Sequence, residues 1–268
     1  MLTNSTFLKD LTIHATDGEL GTVDEFYFDD ETWGIRYLVV KTGGWLSGRE
    51  VLISPISVVG VDWQTKSLHV VLTKKQVENS PDISTHQPVS RQHEADLSAY
   101  YGYNDYWCGP FLWGPAYYPA DLAIPSGAFT KPKKESAESH LRSSTAVTGY
   151  HVEATDGEIG HVDGFVIDDK FWNVRYVEIA TRNWLPGKKV LVSPAWIERV
   201  SWLESKIYAG LFREAIQDAP EYLVSRPLTR EYENRLYFHY GRPPYWEQEA
   251  EVSLRSPPGK VDPMRRRN

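Results

Sequence analysis

The 268 residues contain one cysteine, Cys108. A lone thiol forms no intrachain disulfide and supplies no cysteine cluster for a metal, a pattern that fits a reducing compartment. No apolar run approaches the roughly 20 residues that a membrane-crossing helix needs. Residues 1–10 lack a basic stretch followed by an apolar one, so no signal peptide is expected and a cytoplasmic location is. Positive charge is also short: 29 Lys and Arg against 36 Asp and Glu leave a net charge of -7 and a pI of about 5.6. That balance speaks against nucleic acid as a partner. G-x-S-x-G, the P-loop and G-x-G-x-x-G are all missing. The eight histidines, His14, His69, His86, His93, His140, His151, His161 and His239, show neither His-x3-His spacing nor a neighbouring cysteine, so zinc is not expected. What the chain has in quantity is aromatic surface, with 10 Trp and 16 Tyr. Such rings bury much area and favour interfaces.

The chain also repeats itself. Residues 15–30 read ATDGELGTVDEFYFDD, and 139 positions later residues 154–169 read ATDGEIGHVDGFVIDD. The same offset, without a gap, pairs Trp33 with Trp172, Arg36 with Arg175, Tyr37 with Tyr176 and Trp45 with Trp184. It continues through Ser54-Pro55 and Ser193-Pro194, Arg91 and Arg230, Tyr101-Gly102 and Tyr240-Gly241, to Tyr106-Trp107 and Tyr245-Trp246. This is a duplication, and its period is too long for a solenoid unit of about 20–50 residues. The expected organisation is repeat one at 1–107, a linker at 108–147, repeat two at 148–246 and a disordered tail at 247–268. None of the histidines recurs at the offset.

Within each copy the pattern reads as short strands. Asp17-Gly18 and Asp156-Gly157 are hairpin signals, the glycine supplying a positive φ. Runs rich in Val, Ile and Tyr follow at 35–41 and 174–180. Further strands are expected at 50–53, 58–63 and 68–72, with counterparts in the second copy. Five or six short strands suggest a small closed barrel. One or two helical turns are predicted at 73–79 and 212–218. A second helix is predicted at Arg91–Tyr101 and Arg230–Tyr240, capped by Ser90 or Thr229 at the start and Gly102 or Gly241 at the end. The first part of the linker is aromatic and rich in Pro and Gly and should pack. Its later part, 131–145, is polar and should be mobile.

The order D-G-E-x-G-x-V-D, W-x-x-R-Y, W-L-x-G and V-L-x-S-P resembles the PRC-barrel domain, named for the cytoplasmic part of the photosynthetic reaction-centre H subunit. The helical extension ending in Y-Y-G or H-Y-G, then Y-W, is similar to soluble, stand-alone bacterial members. The resemblance implies a mainly β fold of two small six-stranded barrels, each followed by a short helical extension. It implies a protein-interaction or assembly module with no catalytic residues and no cofactor. Unlike the H subunit, this chain has no transmembrane stretch. A related barrel occurs in a ribosome-maturation factor.

Several residues invite chemistry. Asp17 with Glu19, and Asp156 with Glu158, form carboxylate pairs of the kind used in acid/base work, but a hairpin turn with solvated acids is the better account of them. Asp29-Asp30-Glu31 and Asp168-Asp169 offer oxygens to a cation, or simply form polar turns. Arg36 and Arg175 lie within apolar strands and need partners if buried, and Asp24 and Asp163 are the expected ones. Trp45 and Trp184 sit in turns, as packing plugs or contact residues. Tyr106, Trp107, Tyr245 and Trp246, with Phe111, Trp113, Tyr117 and Tyr118 in the linker, either pin the helices or form a protein interface. The leading expectation is a cytoplasmic, non-catalytic adaptor that binds protein partners and can homodimerise. The alternatives are a ligand binder or enzyme using a cleft between the barrels, and an RNA- or ribosome-associated factor.

Overall fold

The computed structural model describes residues 1–81, 89–123, 140–181 and 187–247. Strand β1 is Leu2–Asn4, β2 Thr12–Ala15, β3 Gly18–Asp29, β4 Ile35–Thr42, β5 Glu50–Ile53, β6 Val58–Asp62 and β7 Ser67–Val70. Helices α1, Lys74–Glu78, and α2, Arg91–Tyr101, complete repeat one. The second series is β8 Leu141–Ser143, α3 Ser144–Val147, β9 His151–Ala154, β10 Gly157–Asp168, β11 Asn173–Ala180, β12 Lys189–Val192, β13 Ile197–Ser201, β14 Lys206–Ala209, α4 Arg213–Gln217 and α5 Arg230–Tyr240. The fold is mainly β, as the alternation and turn signals require.

Each repeat hydrogen-bonds along one six-strand path, β5-β4-β3-β2-β7-β6 and β12-β11-β10-β9-β14-β13. Its end strands are consecutive in the chain, joined by a 3-10 turn at Pro55–Ser57 or Pro194–Trp196. The turns before β3 and β10 hold Gly18 at φ 140° and Gly157 at φ 131°, backbone that a side chain would strain. The inner face of the path is apolar. Tyr27, Tyr37, Val39 and Leu52 on the outer face meet Leu97 of α2, which is why β4 is buried on both faces.

A seventh strand comes to each sheet from the other repeat. β1 pairs antiparallel with β10, placing Leu2, Thr3 and Asn4 opposite Asp168, Ile167 and Val166. β8 pairs antiparallel with β3, placing Leu141, Arg142 and Ser143 opposite Asp29, Phe28 and Tyr27. Every member of one set lies 139 positions from its counterpart in the other, so the repeats are related by a pseudo-twofold axis. Close to that axis Gly34 bridges Asn173. There Ile35 N donates to Trp172 O at 2.7 Å, and Val174 N donates to Trp33 O at 2.9 Å. Trp33 and Trp172 sit at φ 60° and 52°, left-handed backbone that bulky residues rarely adopt, and this conformation aims their carbonyls across the junction. Phe165 packs on Phe26 and Phe28 with ring centroids 5.7 Å apart in both pairs, so one core runs through both repeats.

Residues 141–147 were expected as the end of the linker. They form β8 and α3, the counterparts of Leu2–Asn4 and the 3-10 turn Ser5–Phe7. Their partner is across the junction rather than nearby in sequence, so local pattern does not announce them. The polar linker at 131–139, the tail from 248 onward, Trp184 and His86 lie outside the described residues.

Candidate functional site

The bulges in the long hairpins decide where the polar side chains go. Asp24 is the extra residue of a bulge on β3, between the pairs Val23–Val40 and Glu25–Val39. Arg36 is the extra residue of a second bulge, on β4, between the pairs Tyr27–Tyr37 and Phe28–Ile35. A bulge re-aims the side chain it carries. The expected Asp24–Arg36 pair is therefore replaced. Asp24 takes Lys41 at 2.8 Å, and Arg36 turns inward to Asp29 at 3.8 Å. Repeat two follows suit, with Asp163 bound by Lys189 and Arg175 3.3 Å from Asp168.

Arg36 is only 2% exposed. Its Nη1 donates to Leu112 O at 2.7 Å and its Nη2 to Thr32 Oγ1 at 2.8 Å. The guanidinium lies 4.0 Å from the Tyr106 ring centre and 4.8 Å from that of Trp113. Burial lowers its pKa, opposed by Tyr106 and Asp29. Gly34 makes the tuck feasible, because a Cβ there would stand 2.7 Å from the guanidinium carbon. Tyr106 Oη donates to Glu94 on α2 and accepts from Arg91 Nη1 at 3.0 Å. Glu94 is fully buried, and burial pushes its carboxyl up to about 7 against the pull of Arg91 and the Tyr106 hydrogen bond.

The cluster recurs at the offset. Glu233 on α5 accepts from Tyr176 Oη at 2.8 Å and Tyr245 Oη at 3.1 Å, and meets Arg230 at 3.0 Å. The Arg175 guanidinium lies 4.1 Å from the Tyr245 ring centre, and that of Arg230 3.9 Å from Trp246. Arg91 covers Trp107 in the same way at 4.7 Å. Tyr106, Trp107, Tyr245 and Trp246 are thus packed against their own helices. Glu94 and Glu233 were not singled out as a pair from sequence. The signal was R-x-x-E with Leu and Tyr downstream, shared by two otherwise different helices.

The linker finishes repeat one. Trp113 is 0% exposed and its Nε1 donates to Phe171 O at 2.7 Å. Tyr118 stacks on Phe171 at 5.2 Å, Phe111 meets Tyr117 at 4.2 Å, and the 3-10 turn Pro119–Ala123 lies on Pro55–Ser57. Trp45 is half-buried, with Nε1 donating to Leu20 O at 2.7 Å beneath Lys74. The counterpart of the Trp113 slot in repeat two is a cleft of about 450 Å³ lined by Arg175, Tyr245, Pro194, Ala195 and, across the junction, Thr32 and Trp33.

The turn acids are engaged differently. Asp17 Oδ1 accepts from Lys74 N, and Asp156 Oδ1 from Arg213 N, both at 2.8 Å, so each holds the first turn of a short helix. Glu19 is exposed, and Glu158 is exposed beside His151 at 3.0 Å. Asp29 Oδ1 accepts from Glu31 N and Thr32 N. Asp30 holds Arg142 at 2.8 Å, and Asp169 accepts from Trp63 Nε1 at 2.8 Å. Among the described residues, no group of three or more His, Cys, Asp and Glu is placed to hold a metal ion. Among them, no helix is long and apolar enough to cross a membrane.

Residues 8–77 match the family model of the PRC-barrel domain. No curated protein matches the chain. The PRC-barrel segment covers β2 to β7 and most of α1, and ends before the helix that carries Glu94. The fold it names therefore accounts for the sheet of repeat one. The Arg–Tyr–Glu cluster, the linker plug and the cleft each need residues that lie outside it.

Proposed function

We propose that this chain is a tandem PRC-barrel scaffold, the second copy lying one offset beyond the first, which binds other proteins in the cytoplasm and performs no reaction of its own. The observation that carries this reading is how the perturbed groups are used. Glu94, Tyr106 and Arg36 point into one another beneath α2. A general acid or base must come within hydrogen-bonding reach of a substrate, and these groups are sealed under their own helix. The PRC-barrel match adds a domain type found in assembly modules. Leu203, Phe238 and Phe212 of repeat two are 98%, 90% and 66% exposed, which makes them the apolar side chains to vary in a test.

The test is affinity capture from the native cytoplasm by wild-type chain and by Phe238→Asp and Leu203→Asp variants with unchanged melting. Specific partners should be held by the wild type and lost from at least one variant. A wild-type chain that retains no protein above a bare-matrix control would count against the scaffold reading. Light scattering on the purified chain reads homodimerisation directly.

A further inference from the structure

We propose that His14 and His69 form a surface site for a divalent transition-metal ion of the nickel–copper–zinc group. This goes beyond the scaffold reading and does not rest on it. The two residues are far apart in the chain, so spacing in sequence does not reveal them. Strands β2 and β7 run parallel and place His14 directly opposite His69. Residues paired in register point to the same face of a sheet. Here it is the outer face: Ile13, Leu68 and Val70 are buried, whereas His14 is half-buried and His69 exposed. The two rings stack with centres 5.2 Å apart. An ion about 2.0–2.1 Å from an imidazole nitrogen stands roughly 3.2 Å from that ring's centre, so two rings at a tetrahedral angle have centres roughly 5 Å apart. The observed separation suits chelation. The rings, now 23° from parallel, need only turn until a nitrogen of each faces the ion.

The second copy shows a built-in cation at the same place. Lys206 on β14 reaches Glu153 on β9 at 3.1 Å and ties these two parallel strands together. At the offset, Ser67 stands for Lys206, His14 for Glu153 and His69 for Tyr208. Tyr208 is engaged as well, donating to Glu204 at 2.9 Å with the Arg199 guanidinium 3.8 Å from its ring centre. Repeat one has neither the ammonium nor its carboxylate partner, and holds two imidazoles in their row. Among the described residues the His14 ring makes no hydrogen bond, and His69 has only Ser67 Oγ, 3.4 Å from Nε2. Imidazole nitrogens suit nickel, copper and zinc, whereas magnesium and calcium take oxygen ligands. Glu19 on β3 lies opposite His14, so the row also carries negative charge beside the rings. With two protein ligands and water in the remaining positions, a dissociation constant of about 1–100 μM is expected.

The experiment titrates zinc chloride, and separately copper(II) chloride, into the full-length chain by isothermal calorimetry at about pH 7.5, where imidazole is deprotonated. One ion per chain is expected. His14→Gln and His69→Ala should each weaken binding by about tenfold or more, with circular dichroism in metal-free buffer to check their folds. His151→Ala, whose ring pairs with Glu158 instead, should leave it unchanged. In the wild type, the NMR signals of the His14 and His69 rings should move together as zinc is added, a readout that needs no variant to fold. No saturable binding of either ion by about 1 mM overturns the proposal. So does binding that survives both row variants but is lost with His140→Ala or His151→Ala. Half an ion per chain also overturns it, because the ion then joins two molecules. None of these outcomes alters the capture result at Phe238 and Leu203, so the scaffold reading stands or falls separately.

Discussion

At the scale of single residues, the cluster under α2 ties function-like chemistry to stability. Glu94 has its carboxyl raised from 4.5 to about 7, chiefly by burial. The folded state therefore holds this proton more tightly than the unfolded chain does. Between pH 4.5 and about 7 the folded state binds more protons, so stability falls as pH rises through that window and the loss is complete above it. A shift of that size corresponds to about 3 kcal/mol. Glu94→Gln keeps an acceptor for Tyr106 without a charge, so the variant should gain on the wild type as pH rises from 4.5 to 8. Melting temperatures across that range check it, and a constant difference between the two proteins would contradict the assignment. Gly34→Ala tests the tuck of Arg36. The new Cβ meets a guanidinium held on both sides by Leu112 O and Thr32 Oγ1, so a loss of about 1–3 kcal/mol in denaturant unfolding is expected. No loss would mean that Arg36 has room to move. Sequence placed Arg36 and Arg175 in apolar strands, as cations that need partners if buried, and misplaced the partners. The pairing rests on Asp24 lying on the neighbouring strand, and the bulges at Asp24 and Arg36 re-aim both side chains.

Elements were legible where local side-chain chemistry fixes their ends. The predicted bounds of α2 and α5, Arg91–Tyr101 and Arg230–Tyr240, are those observed. Ser90 and Thr229 accept the expected backbone hydrogens, and Gly102 and Gly241 close the helices at φ 72° and 60°. The strands that cross between repeats were not legible. β1 and β8 have three residues each, too few for a period to show, and their partners lie far away in the chain. A faint trace exists in L-T-N-S-T and L-R-S-S-T at 2–6 and 141–145. The exchange makes an element-level prediction. Asn4 Nδ2 donates to Glu178 Oε2 at 2.6 Å, and Glu178 is 1% exposed in repeat two. Asn4→Ala removes a partner from a buried carboxylate and should cost about 1–3 kcal/mol. Hydrogen exchange by mass spectrometry should place the loosening in β10 and β11, although the substitution lies in repeat one. Protection lost only around β2 and β3 would show that β1 does not hold the second sheet.

For the whole molecule, the question is whether two repeats of about a hundred residues unfold as two bodies or one. Domains of that size bury enough surface to fold alone, and the PRC-barrel match is confined to residues 8–77. The junction argues otherwise. Each sheet is completed by the other repeat's strand, and Ile35 and Val174 donate across the axis. Phe165 shares its rings' contact with Phe26 and Phe28, and Trp113 is closed in by Phe171. Separating the repeats would open the end of β3 at residues 27–29, a strand edge that pairs readily with other chains. It would also expose the aromatic centre of the core. One calorimetric transition is therefore expected, with van't Hoff and calorimetric enthalpies equal. Phe165→Ala makes the test sharper. It should cost about 3–5 kcal/mol and lower protection at Leu38 in repeat one as much as at Ile179 in repeat two. If Leu38 keeps its protection while Ile179 loses it, the repeats are thermodynamically separate, and the crossing strands only tether them.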